Sequence, residues 1–236
     1  MRAWPAAMAE GEERRRMKQI PSYRGTLRCH QLNVPVCIRE CSGILVFGRR
    51  IKSLAFSTDV AIIKNINADA IIAVYPFTPQ PAITQAIISV TDVPVFAGVG
   101  GGTTNGPRSV RLAEYAEHQG AFGVVLNAPI SNDTISRIKE VVDIPVVATI
   151  VSDQQDFASR IAAGADILNV SGAARTPEIV DTIRQRFPEI PIIATGGPTE
   201  ADMLRTIHAG ANAITYTPPT TGQLFSKMMG EYRDRF

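Results

Sequence analysis

A two-part refrain runs along this chain from about residue 51 to its end, and it narrows the fold more than any other feature. One part is an acidic residue, Val or Ile, Pro, then Val or Ile: Asp92-Val93-Pro94-Val95, Asp143-Ile144-Pro145-Val146 and Glu189-Ile190-Pro191-Ile192. The other is a small residue or Asn, then Ala, then a short apolar run: Asn67-Ala68-Asp69-Ala70-Ile71, Gly120-Ala121-Phe122-Gly123-Val124, Gly164-Ala165-Asp166-Ile167-Leu168 and Gly210-Ala211-Asn212-Ala213-Ile214. The two parts alternate. With Ile51 to Phe56 as an opening strand they mark eight strands, each followed by a helical pattern. That count closes a (β/α)8 TIM barrel, a parallel eight-stranded sheet ringed by helices.

The expected strands cover residues 51–56, 70–75, 93–99, 123–128, 144–150, 166–170, 190–195 and 213–216. They are short, near-continuous Val/Ile runs, as parallel strands buried on both faces must be. Helical patterns fill residues 110–119, 134–142, 153–163, 177–187 and 200–209. Gly120, Gly164 and Gly210 stand where helices end in a left-handed residue, and Pro177 and Pro198 stand near helix starts. Pro is tolerated at the first residues of a strand and not in its middle. Both parts of the refrain therefore mark the amino ends of strands, the bottom of the barrel.

Residues 49–236 make the barrel, and residues 1–48 an extension that is poorly structured or covers the barrel bottom. Residues 1–52 hold eleven of the 24 Lys/Arg and four of the 22 Asp/Glu, so a basic leader precedes a mildly acidic barrel. The leader is read as a solvated extension, and nucleic acid is not expected as a partner. No apolar run approaches the roughly 18 residues that cross a bilayer, and the leader lacks the apolar core of a secretory signal. No membrane partner and a cytoplasmic location follow. All three cysteines, Cys29, Cys37 and Cys41, lie in the leader at spacings unlike paired zinc signatures. No metal and no organic cofactor is expected, and a homo-oligomer is left open.

Reactive groups in such barrels come from the carboxyl ends of strands and the loops after them. Thr195-Gly196-Gly197 follows strand seven, where glycine lets backbone N–H groups approach a phosphate and the next helix offers its positive end. The alternative is a tight turn without a ligand. The run from Gly98 to Gly106, with Gly100 and Gly101 at its centre, reads as a lid, an anion cradle or a linker. Asn127, Thr149, Asn169 and Thr195 interrupt apolar strands, and buried polar groups must be bonded. They either satisfy one another or bind substrate, together with Ser171, Arg175, Thr217 and Thr220. Asp59 and Asp153 are candidate proton carriers, with helix capping as the alternative. Lys52, near the start of strand one, is a candidate catalytic amine only if it does not face the barrel bottom.

On Pro191-Ile192-Ile193-Ala194-Thr195-Gly196-Gly197 and Ala209-Gly210-Ala211-Asn212-Ala213-Ile214 the chain resembles the ribulose-phosphate-binding barrels, near keto-deoxy-phosphogluconate aldolase and N-acetylmannosamine-6-phosphate epimerase. It also looks like a bacterial barrel group labelled hydrolase. The resemblance implies that Gly196 and Gly197 bind a substrate phosphate. It implies no Schiff base, because strand six carries Leu168-Asn169-Val170 where the aldolase lysine belongs. Strand eight departs too, with Thr215-Tyr216-Thr217-Pro218 in place of a Gly-Ser phosphate element. The expected activity is lyase- or isomerase-type chemistry on a small, anionic, phosphorylated sugar or keto-acid-like substrate. Hydrolysis of a non-phosphorylated substrate and a non-catalytic binding barrel are the alternatives.

Overall fold

The computed structural model describes residues 30–235 together with Pro21, Tyr23, Gly25 and Thr26. The chain divides into two compact units, Met1–His30 and Gln31–Phe236, and the second is the barrel. Cys29 and residues 1–20 lie outside the described residues. A two-stranded antiparallel hairpin comes first, β1 (Ile44–Val46) and β2 (Arg49–Ile51). The barrel strands are β3 (Ser53–Phe56), β4 (Ala70–Ala73), β5 (Val95–Gly100), β6 (Gly123–Leu126), β7 (Val146–Ile150), β8 (Ile167–Val170), β9 (Ile192–Thr195) and β10 (Ala213–Tyr216). They pair in parallel in chain order, and β10 closes on β3. The helices are α1 (Val60–Lys64), α2 (Pro81–Val90), α3 (Pro107–His118), α4 (Asn132–Lys139), α5 (Phe157–Ala162), α6 (Thr176–Arg186), α7 (Glu200–His208) and α8 (Thr221–Arg233).

The refrain is a device for closing the bottom of the barrel. Each strand-opening Pro lacks an N–H, but its carbonyl accepts one from the neighbouring strand: Pro94 from Ile71, Pro145 from Val124 and Pro191 from Leu168, at 2.8–3.0 Å. The third residue of the other part accepts the first N–H of the preceding strand. Asp69 takes Ser53 N at 3.0 Å, Asp166 takes Val146 N at 2.8 Å and Asn212 takes Ile192 N at 2.8 Å. Phe122 holds this place before β6 and offers no such acceptor to β5; separately, Glu117 of α3 accepts Asp143 N and Ile144 N just ahead of β7. Strand starts are thus satisfied by side chains, as buried N–H groups must be. Gly120, Gly164 and Gly210 have φ of +96°, +107° and +110°, the left-handed helix ends the sequence implied.

Side chains alternate between the barrel interior and the helix layer. Leu54, Phe96, Val147 and Ile193 fill one interior layer near the bottom, packed with Ala70, Ile167 and Ala213. Pairing register then stacks three further layers toward the carboxyl rim: Ile72, Val125, Asn169 and Thr215; Phe56, Gly98, Thr149 and Thr195; Val74, Asn127, Ser171 and Thr217. Polarity rises upward, and it rises on one side. The β7–β10 half carries hydroxyls and amides, while the β3–β5 half carries Ile, Phe, Val and a glycine.

Two elements differ from the sequence expectation. Ile51 belongs to β2 and not to the first barrel strand. It joins Ile44 and Val46 in packing on the lowest interior layer, so the hairpin stoppers the barrel. Helix α5 starts at Phe157 and not at 153, because Asp156 is its cap and accepts Ser159 N at 3.1 Å. A 3-10 turn over Val36–Glu40 buries Cys37 and Ile38 in the cluster that holds Met203 and Ile207 of α7. Burial pushes the Cys41 thiol up to about 12, so it stays protonated. Helix α8 contributes no buried residue.

Candidate functional site

The carboxyl rim gathers the polar residues of the β7–β10 half. Asn169 Nδ2 donates to Thr149 Oγ1 at 3.2 Å, and the Thr195 hydroxyl donates to Ser171 Oγ at 3.2 Å. Asn169 and Thr215 are 8% and 7% exposed, yet Asn169 Oδ1 and Thr215 Oγ1 have no partner. Turning the amide over would only exchange which of its atoms is left unmatched. Buried polar atoms normally find a partner, and leaving one without costs about 1–3 kcal/mol. The two sit in one interior layer, so this end of the barrel keeps unused hydrogen-bonding capacity facing its axis. The sequence places Thr215 at the end of strand eight without making it a binding candidate, although alternation from Ala213 turns it inward.

The two candidate proton carriers are already engaged. Asp59 caps α1, accepting Ala61 N at 2.9 Å and Ile62 N at 3.3 Å through one oxygen. Its other oxygen takes the hydroxyl of Thr221 at the start of α8. That hydroxyl and the backbone N–H groups outweigh desolvation and hold Asp59 below the usual carboxylate range. Asp153 caps nothing; it pairs with Arg175 at 2.5 Å. Partial desolvation, the largest single influence, pushes Asp153 up, but the hydrogen bond and charge of Arg175 prevail and lower it. A carboxylate with a depressed pKa is a weak proton acceptor at neutral pH. Lys52 lies before β3, at the amino end of the barrel, and its Nζ donates to Arg39 O at 2.6 Å. It faces the bottom and cannot reach the rim.

The glycines have local structural reasons. A Cβ on Gly196 would stand 2.7 Å from Ile214 Cγ2 and 2.8 Å from Met203 Cγ, so this glycine lets α7 lie close on the sheet. Gly197, at φ +79°, makes the turn. The α7 amino end is closed by its own capping box: Thr199 Oγ1 accepts Asp202 N, and the Asp202 carboxylate accepts Thr199 N. A cavity of about 330 Å³ adjoins this loop, lined by the Asp202 carboxylate and by Arg205, which pairs with it at 2.6 Å. The capping box thus takes up the Asp202 N–H at the helix end that the sequence offered to a phosphate. In the other glycine run, a Cβ on Gly101 would come 2.3 Å from Asn127 O and one on Gly100 would meet Ser109 Oγ at 2.0 Å. Gly101 N donates to Thr104 O at 2.9 Å and Gly100 O accepts Asn127 N at 2.9 Å. This run is a tight turn pinned to β6, not a free lid.

Two chambers open over the other half of the rim, of about 560 Å³ and 110 Å³. Asn127 and Tyr75 line both, and Asp59, Thr217 and Thr220 line the larger. Thr220 caps α8 with Gln223. The Tyr75 hydroxyl accepts Gln80 N at 2.7 Å, which leaves its proton free to point elsewhere. Among the described residues no group of three or more His, Cys, Asp or Glu is placed to hold a metal ion, and no helix is long and apolar enough to cross a membrane.

No protein-family model matches the chain, and no functionally curated protein matches it by sequence. Solved structures do match by shape. They include 2,3-dimethylmalate lyase, a member of the PEP mutase/isocitrate lyase superfamily, at TM-score 0.61 and 15% identity over 84% of each chain. Phosphonopyruvate hydrolase, solved with oxalate and Mg++, gives TM-score 0.59 at 15% identity over 80% of this chain and 82% of that one. Phosphoenolpyruvate phosphomutase from Streptomyces platensis subsp. rosaceus gives 0.58 at 15%, over 77% and 80%. At such identities the likeness is one of fold. It supports the TIM barrel and not the narrower aldolase and epimerase resemblance drawn from residues 191–214, whose glycines serve packing here.

Proposed function

We propose that this chain is an enzyme of the lyase or isomerase type, acting on a small keto-acid-like substrate at the β7–β10 half of the carboxyl rim. The observation that carries this reading is the buried layer with Asn169 Oδ1 and Thr215 Oγ1 unmatched, beneath Thr149, Thr195 and Ser171. The Thr215 hydroxyl, and the Asn169 amide turned so that Nδ2 faces the axis and Oδ1 accepts from Thr149, are neutral donors that suit carbonyl and enolate oxygens, whose charge develops during such reactions. Arg175, 62% exposed and tied only to Asp153, is the cation able to turn onto a substrate carboxylate. The internally capped ends of α7 and α8 favour a carboxylate over a phosphate ester. The structural neighbours named above as a lyase, a hydrolase and a mutase support the reaction class by analogy of fold.

Calorimetric titration with oxalate tests this. Binding should occur, weaken at least about ten-fold in Arg175→Gln, and exceed the binding of inorganic phosphate. Absent oxalate binding, or binding indifferent to Arg175, overturns the assignment. The engagement of both rim carboxylates favours a second reading, a non-catalytic binding barrel. Following a panel of 2-keto acids by proton NMR separates the two, since only an enzyme would change the bound compound.

A further inference from the structure

The two chambers over β3–β5 differ in chemistry from the polar half of the rim. Their walls are mainly apolar: Phe56, Val74, Pro76 and Pro218 line the larger, and Phe77 and Pro79 the smaller. Gly98 makes the room, because it stands in the interior layer where β7 and β9 carry Thr149 and Thr195. A Cβ there would come 3.1 Å from Ala73 O and Val74 Cγ2. Among the described residues, no Lys, Arg or His lines either chamber, and Asp59 is the carboxylate of the larger one. The smaller is lined by Thr104, which is 3% exposed and whose Oγ1 has no partner. Neutral polar groups line the chambers too, Ser57, Thr58, Thr217 and Thr220 in the larger and Thr103 in the smaller, but one carboxylate and no cation make the larger chamber unfavourable to anions.

We propose that these chambers form a subsite for a flat, amine-bearing group, its ring against the Phe and Pro walls and its N–H groups donating to Asp59 and Thr104. The inference rests on reading this rim as a ligand site and adds the chemistry of the other end of the ligand: an acid end toward Arg175, an apolar amine end toward Asp59. Asp59 keeps its negative charge at neutral pH because Thr221 and the α1 N–H groups favour the ionised form. The walls supply apolar contact, and the charge supplies selection between ligands of one shape.

Three probes of nearly equal size test it: benzylamine, benzyl alcohol and benzoate, titrated at millimolar concentration into the full chain and followed by NMR chemical shifts. Benzylamine should bind best and benzoate at least about ten-fold more weakly. Asp59→Asn should bring benzylamine down to the level of benzyl alcohol. Thr104→Val removes only an unpartnered hydroxyl, so it should fold normally and weaken benzylamine two-fold or more. Benzoate binding as tightly as benzylamine, or benzylamine indifferent to both substitutions, overturns the proposal. Oxalate binding, read in the same samples, is judged separately. Benzylamine bound as expected with oxalate silent keeps this subsite and removes the keto-acid reading; the reverse result removes the subsite alone.

Discussion

At the amino end of the barrel, three polar side chains of the refrain close strands: Asp69 on Ser53 N, Asp166 on Val146 N and Lys139, Asn212 on Ile192 N and Arg184. At the carboxyl end, Asn169, Thr215 and Thr104 hold three of the four buried side-chain atoms left without a partner among the described residues. One end spends its polar groups on closing strands, and the apolar interior beside it is stoppered by a hairpin. The other end holds polar groups that close nothing. The contrast separates a half of the molecule whose polar groups are matched from a half that keeps buried ones unmatched, the property on which the proposed ligand site rests.

The largest blow to the contrast should come from the lower half. Phe96 is 1% exposed in the bottom interior layer, and its ring lies so close over Gly123 that an added Cβ there would stand 2.6 Å from it. Phe96→Ala should cost about 3–5 kcal/mol in urea unfolding, through lost transfer free energy and a cavity. A loss below about 1 kcal/mol would mean that the lower barrel is not the packed core described. Next in size, Asp166→Ala leaves Val146 N without its acceptor and frees Lys139, and should cost about 1–2 kcal/mol. Little change there would show that the refrain is not a strand-closing device.

The upper half should answer in the opposite direction. Asn169→Leu removes an unmatched buried amide atom and keeps roughly the same volume, at the expense of the bond to Thr149. Stability should hold within about 1 kcal/mol or rise, while oxalate binding is lost, as expected where a site is kept at some cost to folding. A large destabilisation with binding intact would make Asn169 part of a structural network.

How much of this was legible in the sequence follows the same division. The refrain revealed eight strands and the bottom of the barrel, because proline tolerance and left-handed glycines are local rules that tertiary context seldom overrides. It did not reveal that Asp69, Asp166 and Asn212 cap neighbouring strands, since that contact spans 16 to 20 residues. At the rim, position after a strand was enough to collect Asn127, Thr149, Asn169, Ser171 and Thr195. It was not enough to say what the glycines are for. Gly196 looks the same in a sequence whether it makes room for a phosphate or for Met203 and Ile214, and only the packing distinguishes them. Asp153 likewise looked like a cap until Asp156 was seen to hold that place. For Lys52 the sequence set a condition, that it not face the barrel bottom, which only the first barrel strand starting at Ser53 and the bond from its Nζ to Arg39 O decide.

The smallest expected effect concerns Asp59, which joins the two halves of the rim by bonding α1 and α8 at once. Its carboxyl is held below an ordinary value of 3.8 by the Thr221 hydroxyl first, then by N–H groups that outweigh desolvation. A group whose folded pKa is depressed adds stability above its unfolded pKa and loses it as pH falls through the folded value. The contribution should therefore be whole at pH 6, begin to fade just above pH 4, and be gone well below it. Thermal unfolding of the native chain and of Asp59→Asn, scanned from pH 7 to pH 2, should give curves that converge toward the acid end. Parallel curves would mean that Asp59 has no depressed pKa in the folded chain, and the charge assigned to the apolar chambers would lose its physical basis. Convergence together with unchanged benzylamine selectivity would instead confine Asp59 to its capping bonds, making the two halves of the rim differ in packing but not in charge.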